Sequence, residues 1–312
     1  MNADEVHDLI IIGAGPSALA AAIYTSREDI GTTLYEKAVI GGIPAIIDKI
    51  DNYPGFPDGI EGTVLAEQME KQAKRFGARV ELGEVLSISV DGDVKNLDID
   101  GSLVQAKTVL IATGRGYGKI GAPGESEYFG RGVHYCATCD GAFYNNKKLA
   151  VIGGANSAIQ EAIYLTRFAS HIDLIVRSTI KASAILQKNL QKFIEEGKVT
   201  IHLGMTIDEI IGKDGHITSI KATENKKSVE IDVDGIFVFV GMKPNTEFLK
   251  KSSIKLDENG FILTDNTLQT NMLGVFASGD VRSGATMQIA SAVGEGVTVA
   301  ISIREYLHNL GK

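Results

Sequence analysis

The sequence predicts an α/β protein of two three-layer ββα units, the second inserted into the first. Three observations carry this. A strand, a glycine-rich turn, a helix and a second strand occur in that order twice, at 8–36 and again at 148–177. At 312 residues the chain exceeds the size at which a single core usually stops growing. After the second copy the pattern returns to a strand at 274–277 and a final helix from about Gln288, so the first unit is completed by the end of the chain.

In order along the chain, Leu9-Ile10-Ile11-Ile12 reads as a buried strand running into Gly13-Ala14-Gly15-Pro16-Ser17-Ala18. An alanine-rich helix follows, then the strand Thr32–Tyr35 ending at Glu36. A helix is expected over about Thr63–Phe76, short strands between 80 and 110, and the strand Thr108–Ala112 ending in Thr113-Gly114. The second copy has the strand Leu149–Ile152, the turn Gly153-Gly154-Ala155-Asn156-Ser157-Ala158, a helix to about Phe168, and the strand Ile172–Val176 ending at Arg177. Strand, helix and strand in this sequence give parallel sheets. Further on come a helix near 183–196, a strand near 199–203, a hairpin-like region at 207–234 and the strand Gly235–Val240, with Pro244 just beyond. Loop-rich hinges near 115–122 and 241–248 divide the chain into 1–117 plus 246–312, with 118–245 inserted.

Composition narrows the function. Hydrophobic residues make up 44% of the chain, enough for an ordinary core, and the net charge is −8. An acidic balance argues against a nucleic-acid partner, which needs a basic face. The apolar run Leu9–Ile23 is preceded by Asp4, Glu5 and Asp8 and broken by Gly13, Gly15 and Pro16, unlike a signal peptide. No stretch reaches about 18 uninterrupted apolar residues, so no membrane span is expected. The expected location is cytoplasmic. Two cysteines, Cys136 and Cys139, are too few for a disulfide scaffold.

The first glycine turn reads as a dinucleotide fingerprint. Gly13 permits the tight turn, Gly15 lets the backbone approach a pyrophosphate, and Ala18 permits close helix packing. The helix N-terminus faces the phosphates, and Glu36 stands where a carboxylate accepts ribose hydroxyls. In the second turn Ala155 replaces the second glycine, and its methyl points into the space a pyrophosphate needs. Val176 stands at the acid position, followed by Arg177, Ser178 and Lys181, which favours a 2′-phosphate and so NADPH over NADH. The alternative is a unit that keeps the fold without binding nicotinamide. Both units are thus expected to have the Rossmann-like fold of dinucleotide-binding domains, the second NADPH-binding-like.

Between the turns lies His134-Tyr135-Cys136-Ala137-Thr138-Cys139-Asp140-Gly141. A redox dithiol suits this position, with a low-pKa thiolate at a helix start. A structural zinc site needs four ligands, and the chain offers only His134, Cys136 and Cys139. Two inert buried cysteines are the third reading. Asp140 is a candidate proton donor to a leaving thiolate, or else a cap or surface carboxylate. Further on, Asp280 of Gly279-Asp280 can bond a sugar-alcohol chain, and the amides at Met287-Gln288-Ile289 can stabilise negative charge on a flavin.

These residues together resemble the low-molecular-weight thioredoxin reductases. The resemblance rests on Gly13-Ala14-Gly15-Pro16, Glu36-Lys37, Gly41-Gly42, Asn52-Tyr53-Pro54-Gly55, Ala112-Thr113-Gly114, Gly130-Arg131-Gly132-Val133, the Cys136–Gly141 run, Gly279-Asp280-Val281 and Gln288. It implies a homodimer with FAD held by Gly13, Gly15, Pro16, Ser17, Glu36, Lys37, Gly41, Gly42, Asn52, Ala112, Thr113, Gly114, Gly279, Asp280, Met287, Gln288 and Ile289. It implies NADPH at Gly153, Gly154, Asn156, Ser157, Arg177, Ser178 and Lys181. Cys139 would face the flavin, Cys136 would attack the thioredoxin disulfide, and Asp140 would be the acid, with no metal. The departures are Ala155, the Val176-Arg177-Ser178 and Lys181 segment, Ile43 and Met287. They leave two alternatives: a reductase fed by ferredoxin, and a dithiol oxidase that passes electrons to oxygen.

Overall fold

The computed structural model describes residues 6–47, 50 and 52–311, with the side chain of Cys139 outside the described set. Along the chain the elements are β1 (Val6–Ile12), α1 (Pro16–Arg27), β2 (Thr32–Glu36), α2 (Gly62–Arg75), β3 (Arg79–Leu82), β4 (Val85–Asp91), β5 (Val94–Ile99), β6 (Ser102–Ile111) and β7 (Arg115–Tyr117). Next come β8 (Val133–His134), α3 (Ala137–Asp140), β9 (Lys148–Ile152), α4 (Asn156–Leu165), β10 (His171–Val176), α5 (Ala184–Glu195) and β11 (Val199–Leu203). The chain continues through β12 (Met205–Lys213), β13 (His216–Glu224), β14 (Lys227–Asp232), β15 (Gly235–Val238), β16 (Met242–Pro244), β17 (Val275–Ala277) and α6 (Ile289–Leu310). Two compact units result: Met1–Gly116 with Lys243–Lys312, and Tyr117–Met242.

In the first unit the strands run β3-β2-β1-β6, with β17 on the far half of β6 and β5-β4 on its near half. The β3-β2-β1-β6-β17 portion is parallel, and β5 and β4 extend it antiparallel. In the second unit β11-β10-β9-β15-β8 form a parallel sheet, and β12-β13-β14 a separate antiparallel one. The two parallel sheets share one plan. β1 lies between β2 and β6 as β9 lies between β10 and β15; β3 matches β11 at one edge, and β17 and β8 fill the other. The internal repeat read from the sequence is therefore a repeat of topology.

The apolar runs explain the central strands. Leu9, Ile10 and Ile11 are fully buried, as are Leu149, Ala150 and Val151, because both faces of a parallel sheet are covered. The hairpin-like region expected at 207–234 is a three-stranded meander over 205–232, whose alternating burial fits a sheet with one wet face. The strand expected to reach Val240 stops at Val238, and Gln288 caps the last helix from outside instead of opening it.

Small residues set the approach of α1 to α6. Ala18, Ala20, Ala21 and Ala22 line α1, and at Gly296 of α6 an added Cβ would fall 2.3 Å from the Ser17 carbonyl oxygen. Helix propensity alone disfavours glycine by about 1 kcal/mol. Replacing Gly296 with valine is nonetheless expected to destabilise the first unit by about 2 kcal/mol, since overpacking against backbone outweighs propensity. The readout is a lowered urea midpoint. An unchanged midpoint would refute the close approach.

Candidate active site

In the first unit, Gly13 ends β1 with φ +101°, and an added Cβ would sit 2.6 Å from the Ala112 carbonyl oxygen. Only glycine tolerates both conditions. Gly15 then caps α1 in extended conformation (φ −78°, ψ −177°), and nothing lies within 4 Å of where its Cβ would be. Pro16 occupies the first helical position, where its missing N–H costs nothing. Gly41 donates its amide to the Ala14 carbonyl at 2.8 Å, and a Cβ on Gly42 would lie 3.5 Å from the Gly15 Cα. Two glycine loops therefore flank one open cradle at the N-terminus of α1, which suits a pyrophosphate.

The neighbouring groups complete that site. Glu36 accepts from the Ala14 amide through Oε2 and from the Ala38 amide through Oε1, both at 2.9 Å, which fixes the carboxylate at the end of β2. A carboxylate has about four acceptor positions, so two remain for ribose hydroxyls. Ser17 and Ser278 share a hydroxyl bond of 2.6 Å beside Gly279, whose φ is +74°. Asn52 donates to the Gln288 side-chain oxygen at 3.2 Å, just before α6 begins at Ile289. Thr113 and Asn245 exchange bonds of 2.8 Å after Ala112, and the Asn245 amide reaches the Gly114 carbonyl. Lys37 is exposed and pairs instead with Glu84 at 3.2 Å.

Arg115 was not singled out in the sequence. Its Nε bonds Asp280 at 3.1 Å, and its Nη1 lies 2.7 Å from the sulfur of Met287, a residue held at φ +61°. Burial pushes the Asp280 carboxyl above its ordinary range, with Arg115 opposing the shift. The only hint in the sequence was a cation immediately after Ala112-Thr113-Gly114.

The second unit repeats the turn with one change. Gly153 has φ +143°, and a Cβ there would meet the Phe239 carbonyl oxygen at 2.4 Å, the counterpart of Gly13 against Ala112. Ala155 caps α4 with φ −92° and ψ −179°, almost the conformation of Gly15. Its exposed methyl thus projects where the first unit leaves open space. The segment after β10 is laced onto the turn: the Lys181 amide donates to the Gly154 carbonyl at 2.7 Å, and the Ser183 amide to the Asn156 side chain at 2.8 Å. Ser157, Arg177, Ser178 and Lys181 are all exposed around it.

The cysteine run joins β8 to α3 in this same unit. Cys136 is disulfide-bonded, and the chain contains one other cysteine, Cys139. The Thr138 hydroxyl lies 3.3 Å from the Cys136 sulfur. The segment after Cys136 is a single helical turn, Ala137–Asp140. Asp140 stands at the N-cap position of the short 3-10 turn Gly141–Tyr144 without a side-chain capping bond, and its Oδ2 lies instead 3.1 Å from Nδ1 of the buried His134. His134 Nε2 is in turn 2.7 Å from the Tyr144 hydroxyl. The imidazole weighed above as a zinc ligand thus directs both nitrogens at Asp140 and Tyr144. Tyr135 donates to Glu125 at 2.8 Å. Glu125, only 2% exposed, also accepts the Ile120 and Gly121 amides at 2.8 and 2.7 Å. Burial and that carboxylate push the Tyr135 phenol well up.

Known proteins are similar to this chain over nearly its whole length. The profile of the pyridine nucleotide-disulphide oxidoreductases matches residues 7–296. The thioredoxin reductase of Listeria innocua is 39% identical over 310 residues, covering 98% of this chain and 96% of the relative. That of Bacillus subtilis is 38% identical over 314 residues, covering 99% and 98%. The crystal structure of thioredoxin reductase from Streptococcus pyogenes superposes with a TM-score of 0.78 at 36% identity, covering 97% of this chain and 99% of that one. Agreement of this extent, in sequence and in backbone, makes the chain a member of the pyridine nucleotide-disulphide oxidoreductase family.

Proposed function

We propose that this oxidoreductase is an FAD-dependent thioredoxin-disulfide reductase. The observation that carries the reading is the disulfide-bonded Cys136 beside the Asp140–His134 pair, in a chain whose other unit presents an open pyrophosphate cradle. The residues fit FAD. Gly13, Gly15, Gly41 and Gly42 leave room for the diphosphate, Glu36 would take the ribose, and Asp280 with Arg115 would meet the sugar-alcohol chain. Bound there, FAD supplies two-electron reduction of the disulfide. The Cys136 thiolate then forms a mixed disulfide with thioredoxin, Cys139 resolves it, and Asp140 handles the proton. The domain roles follow: flavin in the first unit, nicotinamide and dithiol in the second. A homodimer and a cytoplasmic location complete the reading; among the described residues no helix is long and apolar enough to cross a membrane.

NADPH is the proposed electron donor. Arg177 and Lys181 supply the positive charge that a 2′-phosphate requires. Ala155 works against it, since its methyl projects into the cradle. This one contact favours a second reading in which reduced ferredoxin supplies the electrons. Anaerobic titration of the flavin band with NADPH, NADH and reduced ferredoxin in parallel separates the two. Bleaching by stoichiometric NADPH supports the first, and bleaching by ferredoxin alone supports the second.

Two variants test the assignment. Cys136→Ser should still accept electrons at the flavin yet lose thioredoxin reduction by more than about a thousandfold, as removal of a nucleophile does. Full retained turnover would end the reading. Ala155→Gly should tighten NADPH binding about tenfold in a direct titration, with kcat unchanged, because a misplaced methyl costs about 1–3 kcal/mol. An unaltered Kd would show that the methyl is not what limits the site.

A further inference from the structure

His134 is a buried polar group next to the cysteine pair in sequence. It lies on β8, 7% exposed, stacked on Phe237 with ring centroids 5.2 Å apart. Tyr144 meets the imidazole edge-on and is itself held: Gly235 has no side chain because the Tyr144 ring occupies that space, an added Cβ falling 2.3 Å from it. Both ring nitrogens are engaged, Nδ1 with Asp140 at 3.1 Å and Nε2 with Tyr144 at 2.7 Å.

The chemistry of the three groups fixes the direction of the bonds. An ionised carboxylate only accepts, so Nδ1 carries the hydrogen. In a neutral imidazole Nε2 is then an acceptor, and the Tyr144 O–H donates to it. Burial, followed by the negative charges of Asp140 and Asp234, pushes the Tyr144 phenol up to about 12, so its proton stays in place near neutrality. The result is a one-way chain, Tyr144 O–H to His134 Nε2 and His134 N–H to Asp140, with no donor or acceptor left over on the ring.

We propose that His134, oriented by Tyr144, is a positioning residue that holds the Asp140 carboxylate in register for proton transfer during dithiol–disulfide exchange. This rests on the reading of Cys136 and Cys139 as the exchanging pair. In that exchange the Cys136 thiolate bonds to one partner sulfur, and the other partner sulfur leaves as a thiolate. The second enzyme thiol then closes the enzyme disulfide and frees that partner from the mixed disulfide. Two electrons pass from the enzyme dithiol to the partner, and one proton passes from the second enzyme thiol to the departing sulfur. Asp140 accepts that proton and delivers it. A carboxylate free to rotate would serve both sulfurs poorly. The bond from His134 restricts it to one orientation, and a bond between a carboxylate and a neighbouring donor is stronger than a neutral one.

The test uses the FAD-loaded full chain, reduced with dithionite under anaerobic conditions and mixed with excess oxidised thioredoxin in a single turnover. His134→Leu should slow the exchange about 10- to 100-fold, the range for losing a hydrogen bond to a charged group. His134→Asn, which keeps a donor at the Nδ1 position, should recover most of that loss. Tyr144→Phe keeps the ring against Gly235 and removes only the hydroxyl. It should slow exchange several-fold with a modest fall in the melting temperature, since it leaves Nε2 of the buried His134 without its partner. A cooperative thermal transition measured for each variant, the leucine one included, guards against misfolding. Exchange at the wild-type rate in both His134→Leu and Tyr144→Phe would overturn the proposal, and so would failure of His134→Asn to improve on His134→Leu. The same series run with 5,5′-dithiobis(2-nitrobenzoate) separates the two readings. A wild-type enzyme that reduces this small disulfide but not thioredoxin contradicts the partner assignment alone, while the order of the variants still decides the role of His134.

Discussion

Where the middle strand of each parallel sheet ends, the backbone turns against the carbonyl just past its neighbouring strand and leaves no room for a Cβ. Gly13 meets Ala112 and Gly153 meets Phe239 in the same way, each at positive φ. That crowding aims the following helix at one point above the sheet edge and creates the phosphate cradle as a by-product. The rest of the first unit arranges itself around this turn. Gly41-Gly42 packs beside it, Glu36 is pinned by the Ala14 amide within it, and the Gly279 turn closes on Ser17.

The same constraint makes the two units separable in function. The position that crowds the strand is glycine in both, because the fold needs it. The position that caps the helix is under no such demand: nothing in the protein lies near the Cβ position of Gly15. Packing within the protein therefore does not demand glycine there, and the proposed pyrophosphate site gives it a reason. Ala155 is therefore compatible with the fold of the second unit, and under the proposed reading its methyl narrows the cradle while Arg177 and Lys181 supply charge.

Buried polar groups around the cysteine pair obey a second constraint, that each must find partners once water is excluded. Glu125 is paid for by two backbone amides and the Tyr135 phenol, and it ties the segment at Ile120-Gly121 to the residue preceding Cys136. His134 is satisfied by Asp140 and Tyr144. The cysteine run is thus anchored on both sides by saturated polar contacts within one unit, which suits a segment whose sulfurs must meet reaction partners in a defined orientation.

Much of this was legible in the residues. Short β-branched and leucine runs bounded by glycine turns fit strands covered on both faces, so the parallel sheets, the repeat and the glycine turns followed from local chemistry. What the sequence could not disclose depends on residues far apart in the chain meeting in space. Arg115 reaches Asp280 across 165 positions, and Ser17 reaches Ser278 across 261. His134 lies six positions from Asp140 and ten from Tyr144, yet its two bonds exist only because β8, the turn at 137–144 and Phe237 of β15 fold around it. Periodicity and motif spacing report on a residue's own backbone, whereas the aim of a side chain is set by whatever packs against it, and that was decided by the tertiary structure alone.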